Sequence, residues 1–292
     1  MTIYIFKINT LSDSINFYEK IEKSLEEEIV LDFSFSTFIR NNYLPIIGLS
    51  LEYQRKYNKK IKITPPLDYK VQKSMHNIGF LSAFSKEMKQ KNISDTMIRY
   101  TNIKLEEENK LNTFYNYFSD QLTKRVKNLS PELSNKIIQK IFELFSNVFR
   151  HSSSEFGLFC SGQFYPNSNK FYFTIVDGGV TIKTNVNNYL ETKFNKSRFQ
   201  KFEPISGVKA IQWSLERGNS TTGEGGLGLY LLQELILKSK GELEIISNDG
   251  YYQIKDGKEN LLDFNKVFNG TIISIGFNTD DSSYYSLRSE YD

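Results

Sequence analysis

Four glycines, Gly223, Gly225, Gly226 and Gly228, stand directly before an apolar run that includes Leu229, Leu231, Leu232, Leu235 and Ile236. Glycine turns the backbone through φ > 0 and lets a ligand approach with no Cβ in the way. The helix that such a run predicts offers unpaired N–H groups and the positive end of its dipole, a combination suited to phosphate. Gly223, Gly225, Gly226, Leu227, Gly228 and Leu229 are therefore candidate anion-binding residues. A flexible loop meeting a capped helix is the ordinary alternative.

A second group lies upstream. Glu143, Asn147 and His151 are spaced by four on a predicted helix, so they share one polar edge. Ile137, Ile138, Ile141, Phe142, Phe145, Val148 and Phe149 form the stripe that faces the core. The amide oxygen of Asn147 suits a Mg²⁺ ion that bridges substrate phosphates. The Glu143 carboxylate, one turn away, suits a general base. All three side chains could equally be solvated. The third group is Asp177, followed by Gly178 and Gly179 at the end of an apolar strand. A carboxylate there can accept a hydrogen bond from an amino group such as that of adenine, with glycines making room for a flat base. An ordinary turn is the alternative, since Asp-Gly is a favoured turn pair.

The elements that must position these groups divide into two halves. Up to about residue 85, strands at Ile3–Ile8, Ile29–Phe33 and Ile61–Thr64 alternate with helices at Ser14–Leu25, Phe38–Tyr53 and Tyr69–Ile78. That alternation predicts a small α/β domain with a largely parallel sheet. The polar segment Ser85–Asp95 marks the boundary, giving domains of residues 1–90 and 91–280 and a mobile tail of residues 281–292. The second half opens with a strand at Thr96–Ile103 and helices near Glu106–Lys127 and Pro131–His151. Strands follow at Phe156–Phe164 and Lys170–Asp177. A long polar connection then leads to a helix near Pro204–Arg217, the glycine cluster and a helix over Gly226–Ser239. Strands at Glu242–Ser247, Tyr251–Lys255 and Thr271–Phe277, with Asn248-Asp249-Gly250 as a turn, predict antiparallel pairing and an α+β half. The polar run Arg217–Thr222 is suited to closing over phosphates, with Arg217 either supplying charge or lying on the surface.

Composition narrows the classes. The net charge of +3, from 37 basic and 34 acidic residues, gives no indication of a nucleic-acid binder. The single cysteine, Cys160, excludes an intramolecular disulfide. Apolar runs fall far short of the roughly 20 residues that span a bilayer. Met1–Thr10 lacks the pattern of a signal peptide. The expectation is a cytoplasmic protein without a membrane anchor.

The ordered set Glu143-x3-Asn147, Asp177-x-Gly179, Gly223-x-Gly225-Gly226-x-Gly228-Leu229 and Gly270-Thr271 resembles the GHKL superfamily of ATPases and kinases, over about residues 105 to 278. The resemblance implies a Bergerat α/β sandwich that binds ATP and Mg²⁺, and a possible homodimer. It implies that Glu143 is the general base, Asn147 the Mg²⁺ ligand and Asp177 the adenine contact. Gly226 and Gly228 would lie on the phosphate loop, and Thr271 would support adenine through water. The family usually reads Asp-x-Gly-x-Gly, and Thr181 stands at its last position here. His151, four residues after Asn147, makes the helix look most like the anti-sigma factor serine kinases. The N-terminal half is similar to a STAS-like domain, chiefly in Leu31–Phe38. That resemblance points to Ser36 or Thr37 as a phosphorylated hydroxyl, whereas a plain helix N-cap is the simpler role for Ser36. His76 lacks the acidic neighbour of a phosphorylated histidine and is expected to be an ordinary core or surface residue.

Two functions follow from this reading. One is Mg²⁺-dependent ATP hydrolysis or phosphoryl transfer to a protein hydroxyl, in a pathway with a regulatory protein partner. The alternative is an ATP-gated interaction switch with little or no turnover. A scaffold with purely structural glycines is the third class.

Overall fold

The computed structural model of the chain describes residues 1–85, 96–104, 106–147, 154–194, 202–221, 228–280 and 283–287, apart from the side chains of Glu108 and Asn147. The protein is a mixed α/β chain that clusters into two units. The first holds Met1–Ile103 together with Phe159–Tyr165 and Tyr172–Val176; the second holds Lys104–Leu158, Pro166–Phe171 and Asp177–Asp292. The first unit is thus discontinuous, and it takes two strand segments that a linear cut near residue 90 assigns to the second half.

In the first unit, β1 (Thr2–Tyr4), β3 (Glu28–Asp32) and β5 (Lys60–Thr64) form a parallel sheet in the order β1-β3-β5. Ile3, Ile29 and Leu31 fill its buried face. Helix α1 (Leu11–Glu22) starts at a reciprocal cap: Thr10 Oγ1 accepts from the Asp13 N–H, and Asp13 Oδ2 accepts from the Thr10 N–H at 2.9 Å. The expected strand Ile3–Ile8 is two pieces. Ile5 N–H still bonds to Asp32, and β2 (Lys7–Ile8) then pairs in parallel with β4 (Phe38–Ile39).

The expected helix Phe38–Tyr53 starts later than its apolar pattern suggests. Residues 38–39 are β4, Asn41–Tyr43 is a 3₁₀ turn, and α2 runs from Leu44 to Lys56 with Pro45 in its first turn. This overturns the helix N-cap reading of Ser36, because no helix starts there. Ser36 is buried, and its hydroxyl donates to the Ile5 carbonyl, tying the loop after β3 to the β1–β2 connection. Helices α3 (Tyr69–Asn77) and α4 (Phe80–Phe84) complete this segment, split by Gly79 at φ +91. Strand β6 covers Met97–Ile103, as the sequence predicts.

Helices α5 (Glu108–Arg125) and α6 (Pro131–Asn147) open the second unit. Strands β7 (Leu158–Tyr165) and β8 (Lys170–Asp177) follow. The expected long polar connection after Asp177 contains a further, unexpected helix, α7 (Ile182–Phe194). Its apolar positions are sparse, so periodicity hid it. Thr181 supplies the cap, its Oγ1 accepting from the Thr184 N–H at 3.2 Å. Helices α8 (Gly207–Leu215) and α9 (Gly228–Lys238) precede β9 (Glu242–Lys255) and β10 (Lys258–Asn278). The largest sheet has the order β6-β7-β8-β10-β9.

The β9–β10 ladder is antiparallel, and its reversal is at Asp256-Gly257 rather than at Asn248-Asp249-Gly250. Both turn residues have positive φ, +52 and +71, which is the geometry of a type I′ hairpin. Asn248-Asp249-Gly250 instead lies within β9. Asp249 Oδ1 accepts from the Gly207 N–H at 3.0 Å, and a Cβ on Gly250 would stand 2.4 Å from the Gly207 carbonyl carbon. The turn-like composition therefore serves a close approach of α8 to the strand. Gly257 faces open space, so Gly257→Ala meets only backbone strain. We expect it to cost about 1 kcal/mol in urea denaturation, with the native spectrum retained.

Candidate functional site

Asp177 ends β8 with its side chain almost fully buried, at 3% exposure. Among the described residues its one hydrogen-bond donor is the Gly179 N–H, 2.9 Å from Oδ1. Burial raises its pKa to about 7, opposed by that single N–H. The carboxylate thus retains acceptor capacity in a place where leaving it unused is costly.

The neighbouring backbone is built tightly around it. Gly270 on β10 has φ +144, and a Cβ there would overlap the Asp177 carbonyl oxygen at 1.9 Å. Only glycine satisfies both conditions. Thr271 follows at once, and its Oγ1 lies 3.0 Å from Ser247 Oγ on β9. Ser247 is fully buried; its hydroxyl accepts from the Ile182 N–H at 2.9 Å and donates to the Gly270 carbonyl at 3.0 Å. Because that proton is committed, Thr271 must be the donor in the hydroxyl pair, which leaves the Thr271 oxygen's own lone pairs open. Asp177, Gly179 and Thr271 are thereby gathered in one place. Ser247 is a member that sequence reasoning missed. Its signal is slight: a serine closing the apolar run Leu243–Ile246.

The departure at Thr181 has a local cause. Its hydroxyl caps α7 and lies 3.0 Å from Thr184 Oγ1. Further pins hold α7 and α8. Lys183 pairs with Asp249 at 2.8 Å, and Asn187 both accepts from and donates to the backbone of Ile205. Burial works against the Asp249 charge, yet Lys183 and the backbone donors hold its pKa below the usual value.

A second group forms where α6 packs on α9. The expected core stripe holds for Ile137, Ile138, Ile141 and Phe145, all buried, whereas Phe142 is half-buried and stacks edge-on against Tyr115 at 4.6 Å. Glu143 lies off that stripe, at the start of α9. A Cβ on Gly228 would fall 2.7 Å from Glu143 Oε1, so glycine is what lets the carboxylate sit against the helix end. Oε2 pairs with Lys140 at 2.7 Å. Leu229 is half-buried beside it. Asn147 is the last residue of α6, with its side chain outside the described atoms. His151, Gly223, Gly225, Gly226 and Leu227 lie outside the described residues. Arg217 is exposed.

Among the described residues, no cluster of His, Cys, Asp and Glu forms a ready metal cage. A polar cavity of about 260 Å³, lined by Asn128, Asn169, Lys240, Asn278 and Tyr285 among others, contains none of the predicted site residues. No helix among the described residues is long and apolar enough to cross a membrane. No protein-family model matches the sequence, and no curated protein matches it significantly.

Ser247 holds three partners with one hydroxyl. Ser247→Ala strands the Ile182 N–H and the Gly270 carbonyl, and we expect it to cost about 1–3 kcal/mol in urea denaturation. Ser239→Ala, just past the end of α9, removes a hydroxyl that bonds only to α9 carbonyls and should cost less.

Proposed function

We propose that the second unit binds ATP, with Asp177 accepting from the adenine amino group and the glycine segment before α9 receiving the phosphates. The observation that carries this reading is the buried Asp177 carboxylate with a single described donor, set beside Gly179 and the Ser247–Thr271 hydroxyl pair. A buried acceptor of that kind suits a ligand that brings its own N–H donor and excludes water as it does so. Support from a second place comes from Glu143 at the start of α9, where a carboxylate and a helix N-terminus meet. In this reading Asn147 would hold Mg²⁺, and Glu143 would act as the general base on a water or hydroxyl. Bound Mg²⁺ would supply charge neutralisation at the phosphates. The N-terminal unit, with its parallel β1-β3-β5 sheet, is proposed as a STAS-like regulatory module, and the second unit as a GHKL-type domain. The protein is then a cytoplasmic ATPase or protein kinase that acts with a regulatory partner.

One observation favours the alternative of an ATP-gated switch with little turnover. The Lys140 ammonium sits on Glu143 Oε2 at 2.7 Å, on the group that a general base would use to take a proton. Comparing ATP turnover of the wild type with Lys140→Met and Glu143→Ala separates the two. In an enzyme Glu143→Ala loses turnover and keeps ATP binding. In a switch the wild type binds and does not turn over, and Lys140→Met gains activity.

The pKa of Asp177 gives a pH test. Its value in the folded chain, about 7, lies above that of an unfolded aspartate, so the folded state holds the extra proton between about pH 4 and 7. Stability from this group is fully present below pH 4 and is lost as pH rises through 7. Asp177→Asn should therefore raise the melting temperature at pH 8, with the gain vanishing toward pH 4. Calorimetric titration with ATP and Mg²⁺ should show wild-type affinity rising from pH 6 to 8 as the acceptor ionises. Asp177→Asn should weaken binding at least about tenfold at pH 8. Unchanged affinity in that variant would remove adenine from this site.

A further inference from the structure

The first unit carries an aromatic and cationic strip that no internal contact explains. Tyr4, Phe6, Phe35 and Phe38 are 54%, 58%, 64% and 38% exposed. They are contiguous, because Thr37 N–H donates to the Phe6 carbonyl at 2.9 Å and Lys7 pairs with Phe38 across β2 and β4. Tyr4 and Phe6 stack with centroids 6.4 Å apart. Isolated exposed apolar residues are normal on a protein surface, but four exposed aromatic residues on two adjacent backbone segments are not.

Two cations border the rings. Lys7 is exposed next to Phe38, and Arg40 follows two residues after Phe38, on the same side of the extended chain. The Arg40 guanidinium is held face-on, 4.2 Å from the Tyr172 ring centre and 5.7 Å from those of Tyr43 and Tyr165. Its described hydrogen bond to a backbone acceptor is a long one, to the Asn9 carbonyl at 3.5 Å. Among the described residues neither Lys7 nor Arg40 forms a salt bridge: Lys7 acts on Asp13 only at a distance, Arg40 lies among tyrosine rings, and the nearby carboxylates accept from other donors. Asp13 accepts from the Asn9 and Thr10 N–H groups, and Asp32 from the Ser34 N–H and hydroxyl. Stacked rings fix the plane of the Arg40 guanidinium in advance, and its edge is what reads a carboxylate.

We propose that this strip docks an acidic segment of a partner protein, with apolar side chains of the segment on Tyr4, Phe6, Phe35 and Phe38 and its carboxylates on Lys7 and Arg40. Charge complementarity selects this occupant. Lys7 and Arg40 flank the aromatic surface without a salt bridge among the described residues, and the one carboxylate that acts on Lys7, Asp13, is turned to the backbone N–H groups of Asn9 and Thr10, so an acidic-apolar peptide suits the strip better than a basic one. The inference stands on the first unit alone and does not depend on ATP binding by the second.

Selection of a random peptide library displayed on phage against the immobilised full chain tests it. The expected outcome is enrichment of Asp and Glu next to Phe, Leu or Trp. A synthetic peptide of the enriched sequence should bind wild type at least about tenfold more tightly than Lys7→Glu/Phe35→Ser, with the gap narrowing in high salt. Both positions are exposed; should the double variant not fold, as judged by circular dichroism, Lys7→Glu alone makes the same comparison. Enrichment of neutral or basic sequences, no enrichment, or equal binding by the variant would overturn the proposal. So would self-association of the wild type that the variant abolishes, which assigns the strip to a second copy. Binding to phosphatidylserine vesicles that the variant abolishes would likewise assign it to a lipid surface.

Discussion

The second unit is organised around one close approach, that of Gly270 to the Asp177 carbonyl. A backbone at φ +144 with no Cβ brings β10 against the end of β8 at the point where the carboxylate turns inward. Two further bonds depend on that contact. Ser247 reaches the Gly270 carbonyl because β10 comes this near, and it then has its acceptor side free for the Ile182 N–H. Helix α7 is thereby anchored at its first residue. The pairing of Lys183 with Asp249, which also accepts from the Gly207 N–H, then links α7 through β9 to the start of α8. A chain of short-range constraints thus runs from one glycine to the two helices that precede the glycine cluster.

The energetic logic of the Asp177 site is the reverse of that of a stabilising ion pair. A carboxylate whose pKa burial raises to about 7 weakens the folded state at neutral pH. A fold tolerates such a group where surrounding packing is rigid, and here that packing is Gly270 against backbone and the fully buried Ser247. Groups held at a cost in this way are candidates for function because a ligand that supplies the missing donor recovers the cost on binding. Lys140 and Glu143 contrast with this. They are a half-exposed pair one turn apart on α6, in which solvent screens the interaction, so its worth lies in where it holds the carboxylate.

Legibility from sequence followed the range of the physics involved. Strand β8 was readable to the residue, Lys170 to Asp177, because a continuous apolar run closed by Asp-Gly-Gly is a local signal. Helix α7 was not, since its stability comes from the Thr181 cap, the Asn187 clasp and the Tyr189–Trp213 contact at 5.5 Å rather than from an apolar stripe. Asn248-Asp249-Gly250 misled because turn composition and close-approach composition are the same residues, and only the position of α8 distinguishes them. Ser36 misled in the same way: a serine after a strand suits a helix cap, but the partner here, the Ile5 carbonyl, lies 31 residues away in sequence.

The site was legible in its residue types and illegible in its connections. Asp177, Gly179 and Thr271 could be picked out singly, but the residue that joins them, Ser247, carries no motif. Its role depends on three elements meeting, β9, β10 and the start of α7, and such a meeting leaves no periodic trace in any one of them. The aromatic strip of the first unit is the complementary case. Tyr4, Phe6, Phe35 and Phe38 are aromatic residues of a kind that usually packs inside, and exposure alone sets them apart. Burial of a polar group and exposure of apolar ones are both departures from ordinary packing that a partner can resolve. At Asp177 the proposed partner is a donor of hydrogen bonds, and at the strip it is a segment both apolar and acidic.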